Sequence, residues 1–177
     1  TGPANLATNL TQSQTGVPKI NPDGSLSTDY WYISHELCNN NFKVFTADAA
    51  GINFSHNSGA GPAFDCIGTW PPKYDDIGTL KFNGCYTQAT YVMGDKVMLY
   101  DFDAKTGQFT HVATQTTGLT SAYSMEFSPD GKYVYILTGQ DNFNPGHLYS
   151  MTVSPTGYGP PVDLGTTGGM RGGHLQL

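Results

Sequence analysis

The sequence predicts an all-β protein built from many short antiparallel strands. Turn-forming residues are abundant, with 22 Gly and 11 Pro in 177 residues, and aromatic residues make up 12% of the chain. Aromatic and β-branched residues favour strands, whereas Gly and Pro separate them. No window carries a sustained apolar stripe at helical spacing. The chain is also long enough to bury a sizeable core.

Three landmarks recur in the same order along the chain and indicate an internal repeat. The first is a short strand that runs into a turn, at 19–24, 81–84 and 126–131. The second is an aromatic, β-branched strand at 30–34, 90–93 and 133–137. The third is a strand that leads to a glycine hairpin, at 42–46 before Gly51, 97–101 before Gly107 and 147–151 before Gly157. Equivalent positions are about 45 to 62 residues apart. A repeat of this length is typical of four-stranded propeller blades with loop insertions.

We therefore predict a partial β-propeller of about three four-stranded antiparallel blades, plus the first strand of a fourth. The expected boundaries are an irregular segment at 1–16, blades at 17–76, 77–121 and 122–171, and the start of the next blade at 172–177. Strands A to D are named from the centre of the propeller outwards. A strands are expected at 17–21, 78–83, 123–128 and 172–177, B strands at 29–34, 88–93 and 132–137, C strands at 42–47, 96–102 and 146–152, and D strands after the three hairpin glycines.

The turn Ser128-Pro129-Asp130-Gly131-Lys132 resembles a turn found in many bacterial propellers, including lactonase-like and WD40-like ones. Together with segments 29–36, 99–107 and 123–131, it resembles the propeller regions of type IX-secreted surface proteins of Bacteroidetes. The resemblance covers 17–177 and implies export and a surface role, without catalytic residues to carry over. Blade two departs from the pattern, because Gly84-Cys85 stands where Pro-Asp-Gly is expected.

Composition excludes several classes of partner. The net charge is −6, and the eight basic residues do not cluster. Nucleic acids and anionic membranes select clustered Lys and Arg, so neither is expected as a partner. No apolar run reaches the length of a membrane span, and Thr1-Gly2-Pro3 does not open a signal peptide.

Two short motifs resemble parts of metal-binding sites, but each lacks a required ligand. The stretch 101–107 alternates acids before a glycine, but Lys105 occupies a ligand position and no downstream Glu follows, so a structural hairpin is preferred over a calcium loop. His35-Glu36 could form an acid–base pair or half of a zinc motif, but Asn39 stands where the second His would be. The five histidines show no ligand spacing. We expect no metal and no cofactor.

The loops that join strands B to C and D to A open on one face of a propeller, and we call this side the loop face. Polar, variable loops on a rigid scaffold are typical of a recognition surface. Trp70 and Tyr74 could stack on a sugar or peptide, but a Pro-Pro pair such as Pro71-Pro72 more often only stiffens a loop. The candidate ligand-binding residues are His35, Glu36, Asn40, Trp70, Tyr74, Asp141, Asn142 and Asn144.

The resulting hypothesis is a non-catalytic binding or adhesion module of an exported protein, at the outer cell surface or outside the cell, with a protein or glycan ligand. The alternative is a fragment of a propeller enzyme, lactonase-like or glycan-cleaving, whose catalytic residues lie partly outside this chain. A structural spacer is a third option. Because an arc of three blades leaves its end faces uncovered, we expect the remaining blades or another chain to close the ring.

The three cysteines divide between the two faces of the predicted propeller. Cys38 lies in the B–C loop of blade one and Cys66 in the following D–A loop, so both belong to the loop face. Cys85 lies in an A–B turn on the opposite face, one strand length of about 17–20 Å away, which is too far for a disulfide. We predict a Cys38–Cys66 disulfide with Cys85 free or paired outside the chain. Three unpaired thiols are the alternative.

Overall fold

The computed structural model describes residues 7–63, 78–119, 122–139 and 145–167, and every regular element in these ranges is a β-strand. No helix in the described ranges is long and apolar enough to cross a membrane. The strands are β1 Leu10–Ile20, β2 Leu26–Glu36, β3 Asn41–Asp48, β4 Gly51–Gly59, β5 Gly78–Phe82, β6 Gln88–Met93, β7 Lys96–Asp103, β8 Gln108–Thr116, β9 Ala122–Phe127, β10 Tyr133–Thr138, β11 His147–Ser154, β12 Gly157–Tyr158 and β13 Val162–Thr166.

These strands form three antiparallel sheets in chain order. Blade one is β1-β2-β3-β4, and blade two is β5-β6-β7-β8. Blade three is β9-β10-β11, with β12 and β13 both paired to β11. The inner strand β5 contacts both β1 and β9, as expected for A strands around a common centre. The predicted all-β, partial-propeller fold is confirmed, while the expected strand at 172–177 lies outside the described residues.

Two of the differences from the expected strand limits have clear physical reasons. β1 begins at Leu10 rather than at residue 17, because the long β2 offers pairing partners as far as Glu36. The outer strand of blade three is divided into β12 and β13 around Pro160-Pro161. Proline has no N–H to donate to a neighbouring strand, so pairing stops there and resumes at Val162.

The A–B turn of blade two closes without the Pro-Asp-Gly sequence. Asn83 Oδ1 accepts hydrogen bonds from the backbone N–H groups of Thr87 (3.0 Å) and Gln88 (3.2 Å). Tyr86 adopts a left-handed backbone conformation with φ of 56°. In blade three, Ser128 has the same role, because Ser128 Oγ accepts from Tyr133 N at 3.0 Å and Ser128 N donates to Tyr133 O. The side chain of Asn83 thus closes the turn of blade two from the position that Ser128 holds in blade three.

The stretch 101–107 is a hairpin, as predicted. Asp103 Oδ1 accepts from Lys105 N at 3.0 Å and Asp103 Oδ2 from Thr106 Oγ1 at 2.7 Å. Gly107 closes the turn with φ of 76° and donates its N–H to the carbonyl of Asp103 at 2.7 Å. The carboxylate of Asp103 therefore stabilises the hairpin turn.

Adjacent blades are joined by apolar packing and by polar contacts. One buried cluster lies between blades one and two and contains Trp31, Phe42 and Tyr91. A second lies between blades two and three and contains Val92 and Met125. Polar contacts cross the same boundaries: Trp31 Nε1 donates to Ala104 O at 2.8 Å, Thr79 Oγ1 to Tyr123 O at 3.0 Å, and Lys81 Nζ to Glu126 Oε2 at 2.8 Å.

Candidate functional site

The inner strands carry buried hydroxyl side chains at their loop-face ends. Thr11 and Ser13 lie near the start of β1, Thr79 near the start of β5 and Ser124 near the start of β9. The phenol of Tyr91 on β6 donates to Thr11 Oγ1, whereas Thr79 Oγ1 donates to Tyr123 O across the next blade boundary. We call these five residues the inner hydroxyl cluster. Hydroxyl groups both donate and accept hydrogen bonds, so the cluster could bind a polyhydroxylated molecule near the centre of the propeller.

An irregularity in β1 turns Thr11 and Ser13 inwards. The pairing of β1 with β2 shifts register between Leu10 and Gln14, and both hydroxyl residues in this stretch are buried. Tyr91 Oη and the backbone N–H of Ser13 both donate to Thr11 Oγ1, at 3.5 Å and 3.3 Å. Ser13 Oγ itself has no hydrogen-bond partner among the described residues. A buried hydroxyl without a partner costs about 1–3 kcal/mol, so Ser13 retains unused binding capacity.

His35 lies inside the contact between blades one and two, not on the loop face. Its ring stacks on Tyr91 with centroids 5.2 Å apart and meets Phe42 edge-on at 4.8 Å. Burial lowers the pKa of His35 from 6.5 to about 4, although the neighbouring Glu36 opposes this shift. The imidazole is therefore neutral at pH 7, and its main role is in packing.

Glu36 points away from His35, because successive side chains of a strand lie on opposite faces. Its Oε1 lies 3.0 Å from Lys43 Nζ, and its Oε2 accepts from Asn39 Nδ2 at 2.7 Å and Asn41 Nδ2 at 3.4 Å. Partial burial favours the neutral acid, but the hydrogen bonds from Asn39, Lys43 and Asn41 outweigh it and lower the pKa of Glu36. The carboxylate organises the B–C loop, and the two residues do not form an acid–base pair.

Asn40 connects the B–C loop of blade one to the end of β4. Its Nδ2 donates to Gly61 O at 3.2 Å, and its carbonyl accepts from Ala60 N at 3.0 Å. The side chain is half-buried on the loop face. Its amide is thus used to hold two loops together.

Some of the remaining candidate residues lie within the described ranges and others lie outside them. Cys38 is disulfide-bonded and has φ of 72°, and Cys85 is an exposed free thiol. The pairing of Cys38 with Cys66 stays a prediction. The candidates outside the described residues are Cys66, Trp70, Tyr74, Asp141, Asn142 and Asn144. No group of three or more His, Cys, Asp or Glu side chains in the described ranges could hold a metal ion.

The inner hydroxyl cluster was not among the residues singled out from the sequence. One signal was present: Thr79-Leu80-Lys81-Phe82 and Ser124-Met125-Glu126-Phe127 place a hydroxyl residue at the same point of two repeats. Thr11 and Ser13 precede the expected start of the first strand, so the repeat pattern did not mark them as inner-strand residues. Tyr91 has the pattern of an ordinary core residue.

No family model and no curated relative matches the sequence. Solved structures match it with TM-scores of 0.54 in three cases: a protein of Bacteroides uniformis assigned as a 6-phosphogluconolactonase (17% identity), one of Bacteroides fragilis with the same assignment (15%), and the periplasmic gluconolactonase PpgL of Pseudomonas aeruginosa (13%). The matches cover 84%, 85% and 84% of this chain, but only 39%, 37% and 38% of the other chains. The fold is thus that of the lactonase-like β-propellers, of which this chain spans about two fifths.

These comparisons correct the functional hypothesis drawn from the sequence. The expectation of a non-catalytic binding or adhesion module is wrong, because the similar propellers carry names of lactone-hydrolysing enzymes. The alternative, a piece of a lactonase-like propeller enzyme, is better supported. The narrower resemblance to type IX-secreted proteins and to WD40-like repeats gains no support and stays a prediction.

Proposed function

We propose that this chain is part of a propeller enzyme that hydrolyses a sugar lactone. The observation that carries the proposal is the inner hydroxyl cluster, which places hydroxyl groups of three neighbouring inner strands at the loop-face end of the propeller. Ligand sites are concave places where a few polar groups converge on a mostly apolar wall. The named activities of the three similar structures supply the substrate class.

Within this site, we assign the described residues to binding the sugar and not to activating the water molecule that attacks it. Ser13 Oγ is buried and lacks a partner among the described residues, so we assign it to hydrogen-bonding a ring hydroxyl of a sugar that enters beside β1. Thr11 Oγ1 accepts from Tyr91 Oη and from Ser13 N and so fixes the start of this strand. Hydrolysis also requires a base that activates water. Glu36 is engaged by Lys43, Asn39 and Asn41, and His35 is buried, so neither fits that role. We assign the base to another part of the whole protein.

We also propose that the protein works outside the cytosol. The disulfide at Cys38 supports this location, because disulfides persist in oxidising compartments and are rare in the reducing cytosol.

The experiment is a lactone hydrolysis assay on the full-length protein that contains this chain. Acid release from glucono-δ-lactone and from its 6-phosphate is followed with a pH indicator and compared with spontaneous hydrolysis. Ser13→Ala should lower kcat/KM by about tenfold, the effect of one lost hydrogen bond of about 1.4 kcal/mol. The matched control is Ser55→Ala on the exposed strand β4, which should leave kcat/KM unchanged. Absence of hydrolysis above the spontaneous rate would refute the proposal.

A further inference from the structure

We infer that Asn83, in the A–B turn of blade two, is a site of spontaneous covalent modification at which the side-chain amide is lost as ammonia. Asn83 is followed by Gly84, and this turn departs from the Pro-Asp-Gly pattern of the other two blades. Asn83 is half-buried and Gly84 is exposed, so water and hydroxide reach the peptide bond that joins them. The inference does not depend on lactone hydrolysis, because this turn and the loop face lie at opposite ends of the blade.

Every atom that reacts belongs to the turn or to water. The backbone nitrogen of Gly84 loses its proton to hydroxide and bonds to Cγ of Asn83, and the Cγ–Nδ2 bond then breaks and releases ammonia. Water opens the resulting five-membered imide. Cleavage at Cγ gives aspartate at position 83, whereas cleavage at the main-chain carbonyl gives isoaspartate. An attack between neighbouring groups of one chain is far faster than the same attack between separate molecules.

The turn also provides donors at the oxygen that becomes negatively charged during the attack. Asn83 Oδ1 accepts from the backbone N–H groups of Thr87 at 3.0 Å and Gln88 at 3.2 Å. Two N–H groups directed at one carbonyl oxygen are the arrangement that stabilises the tetrahedral oxyanion of acyl transfer. The leaving group, Asn83 Nδ2, donates to Thr87 Oγ1 at 3.2 Å. The side chain is therefore held with its carbonyl polarised towards attack.

The nitrogen that attacks at Asn83 is available, whereas its counterparts in the other two A–B turns are occupied. The N–H of Gly24 donates to Asn21 O at 2.9 Å. The N–H of Gly131 donates to Ser128 O, also at 2.9 Å. Among the described residues, no acceptor is found for the N–H of Gly84. Only in blade two is the glycine nitrogen of the turn thus left unused by the turn.

The acids of the other two turns are also poor targets for attack. Hydrogen bonds from Ser25 lower the pKa of Asp23. The hydroxyl of Ser128 lowers the pKa of Asp130 in the same way. Both side chains are therefore ionised at neutral pH, and a carboxylate repels a nucleophile that a neutral amide accepts. The reaction is selective for Asn83 for this reason and because of the free nitrogen.

The two products change the turn in different ways, although each adds one negative charge. The backbone N–H of Asn83 donates to Gln88 O at 3.0 Å, and its carbonyl accepts from Tyr86 N at 3.0 Å. Aspartate keeps this main chain and still accepts hydrogen bonds at Oδ1. Isoaspartate inserts a methylene group between the N–H and the carbonyl, so the two bonds cannot both form. The turn of blade three is close, because a Cβ placed on Gly131 would lie 3.9 Å from Asn83 Cβ.

The test is peptide mapping by mass spectrometry of the full-length protein that contains this chain, after increasing times at mildly alkaline pH. The amide at position 83 should be lost at least about tenfold faster than that of Asn57, an exposed residue of β4 that is followed by Ser58. Asn21 provides an internal control. It should not react by this route, because the next residue is Pro22, which has no N–H.

Two variants test whether the nitrogen of Gly84 is the nucleophile. Gly84→Pro removes the N–H and should abolish the loss of ammonia at position 83. Gly84→Ala should slow it at least about tenfold, because the added methyl group hinders the approach of the nitrogen to Cγ. Alanine fits the turn, since Gly84 has no positive φ and its added Cβ would lie 3.8 Å from Pro129 O. Gly84→Ala therefore carries the comparison if Gly84→Pro does not fold.

Two results would overturn the inference. The first is loss of the amides at positions 83 and 57 at equal rates in the folded protein. The second is an unchanged rate at position 83 in folded Gly84→Ala or Gly84→Pro protein, which would show that the backbone nitrogen does not attack.

Discussion

Phe42 and Phe109 stack across the boundary between blades one and two, with ring centroids 4.1 Å apart and ring planes 15° apart. Phe42 has no exposed surface, and Phe109 is almost fully buried. The pair couples the third strand of one blade to the fourth strand of the next. The stability of each blade is therefore tied to its neighbour, as in other repeat proteins.

Replacing one member of this pair should strongly destabilise the protein. Phe109→Ala removes a buried ring from a packed boundary and should cost about 3–5 kcal/mol of unfolding free energy. Phe54→Ala, a change of the same type at an exposed ring, should cost less than about 1 kcal/mol in the 177-residue chain. Urea unfolding followed by circular dichroism gives both values. Equal losses would contradict the burial of Phe109.

A pair of glycine substitutions separates backbone strain from packing. Gly107 and Gly118 have similar φ values of 76° and 71°, so alanine is strained at both by about 1 kcal/mol. Only at Gly107 does the added Cβ meet other atoms, on Val44, His56 and Trp31. Gly107→Ala should therefore cost about 1–3 kcal/mol more than Gly118→Ala. Thermal unfolding of the two variants decides this, and equal shifts in Tm would mean that the hairpin is not packed on blade one.

The stability of the protein should fall in acid because of His35. Burial lowers the pKa of this imidazole from 6.5 to about 4 in the folded state. The unfolded chain therefore binds a proton first as the pH falls, and stability is lost between about pH 6.5 and pH 4, by roughly 3 kcal/mol in total. Above pH 6.5 this contribution is constant.

The measurement is urea unfolding at a series of pH values. His35→Phe should remove most of the pH dependence in this range, whereas His111→Gln, at an exposed position on β8, should retain it. An unchanged slope in the His35→Phe variant would show that the imidazole is not buried in the folded protein.

Ser13 and Ser34 should respond differently to alanine. Ser13 Oγ lacks a partner among the described residues, so Ser13→Ala should leave stability unchanged or raise it slightly. Ser34 Oγ donates to Ser13 O at 3.2 Å, so Ser34→Ala should cost about 1 kcal/mol. Chemical unfolding of both variants provides the comparison. A marked destabilisation by Ser13→Ala would show that its hydroxyl has a structural role instead of a binding one.

Peptide mapping without reduction tests the cysteine assignment. We expect a peptide that links Cys38 to Cys66, and alkylation of Cys85 alone before reduction. A link between Cys66 and Cys85 would contradict the placement of the first two cysteines on one face.

The fold could be predicted because its signals are local. The Asp-Gly turns and the aromatic B strands repeat in order, and each fixes a hairpin through a few neighbouring residues. The candidate site could be predicted only in part. Whether His35 faces solvent or a neighbouring blade depends on which side of β2 is covered, and this is decided by β6, more than 50 residues away in sequence. The burial of Ser13 depends in the same way on a register shift in β1 that no local motif marks.

The packing of the Gly107 and Gly157 hairpins on the preceding blades gives the chain a direction of assembly during its synthesis. The Gly107 hairpin leaves the ribosome after Trp31 and Val44, so its template is already made when it emerges. The Gly51 hairpin of blade one has no such template among the described residues, and exposed aromatic side chains such as Phe54 stay uncovered within this chain. Exposed apolar surface in a partly made chain promotes aggregation and recruits chaperones. Blade one is thus the part of this chain that most needs protection while the chain is being made.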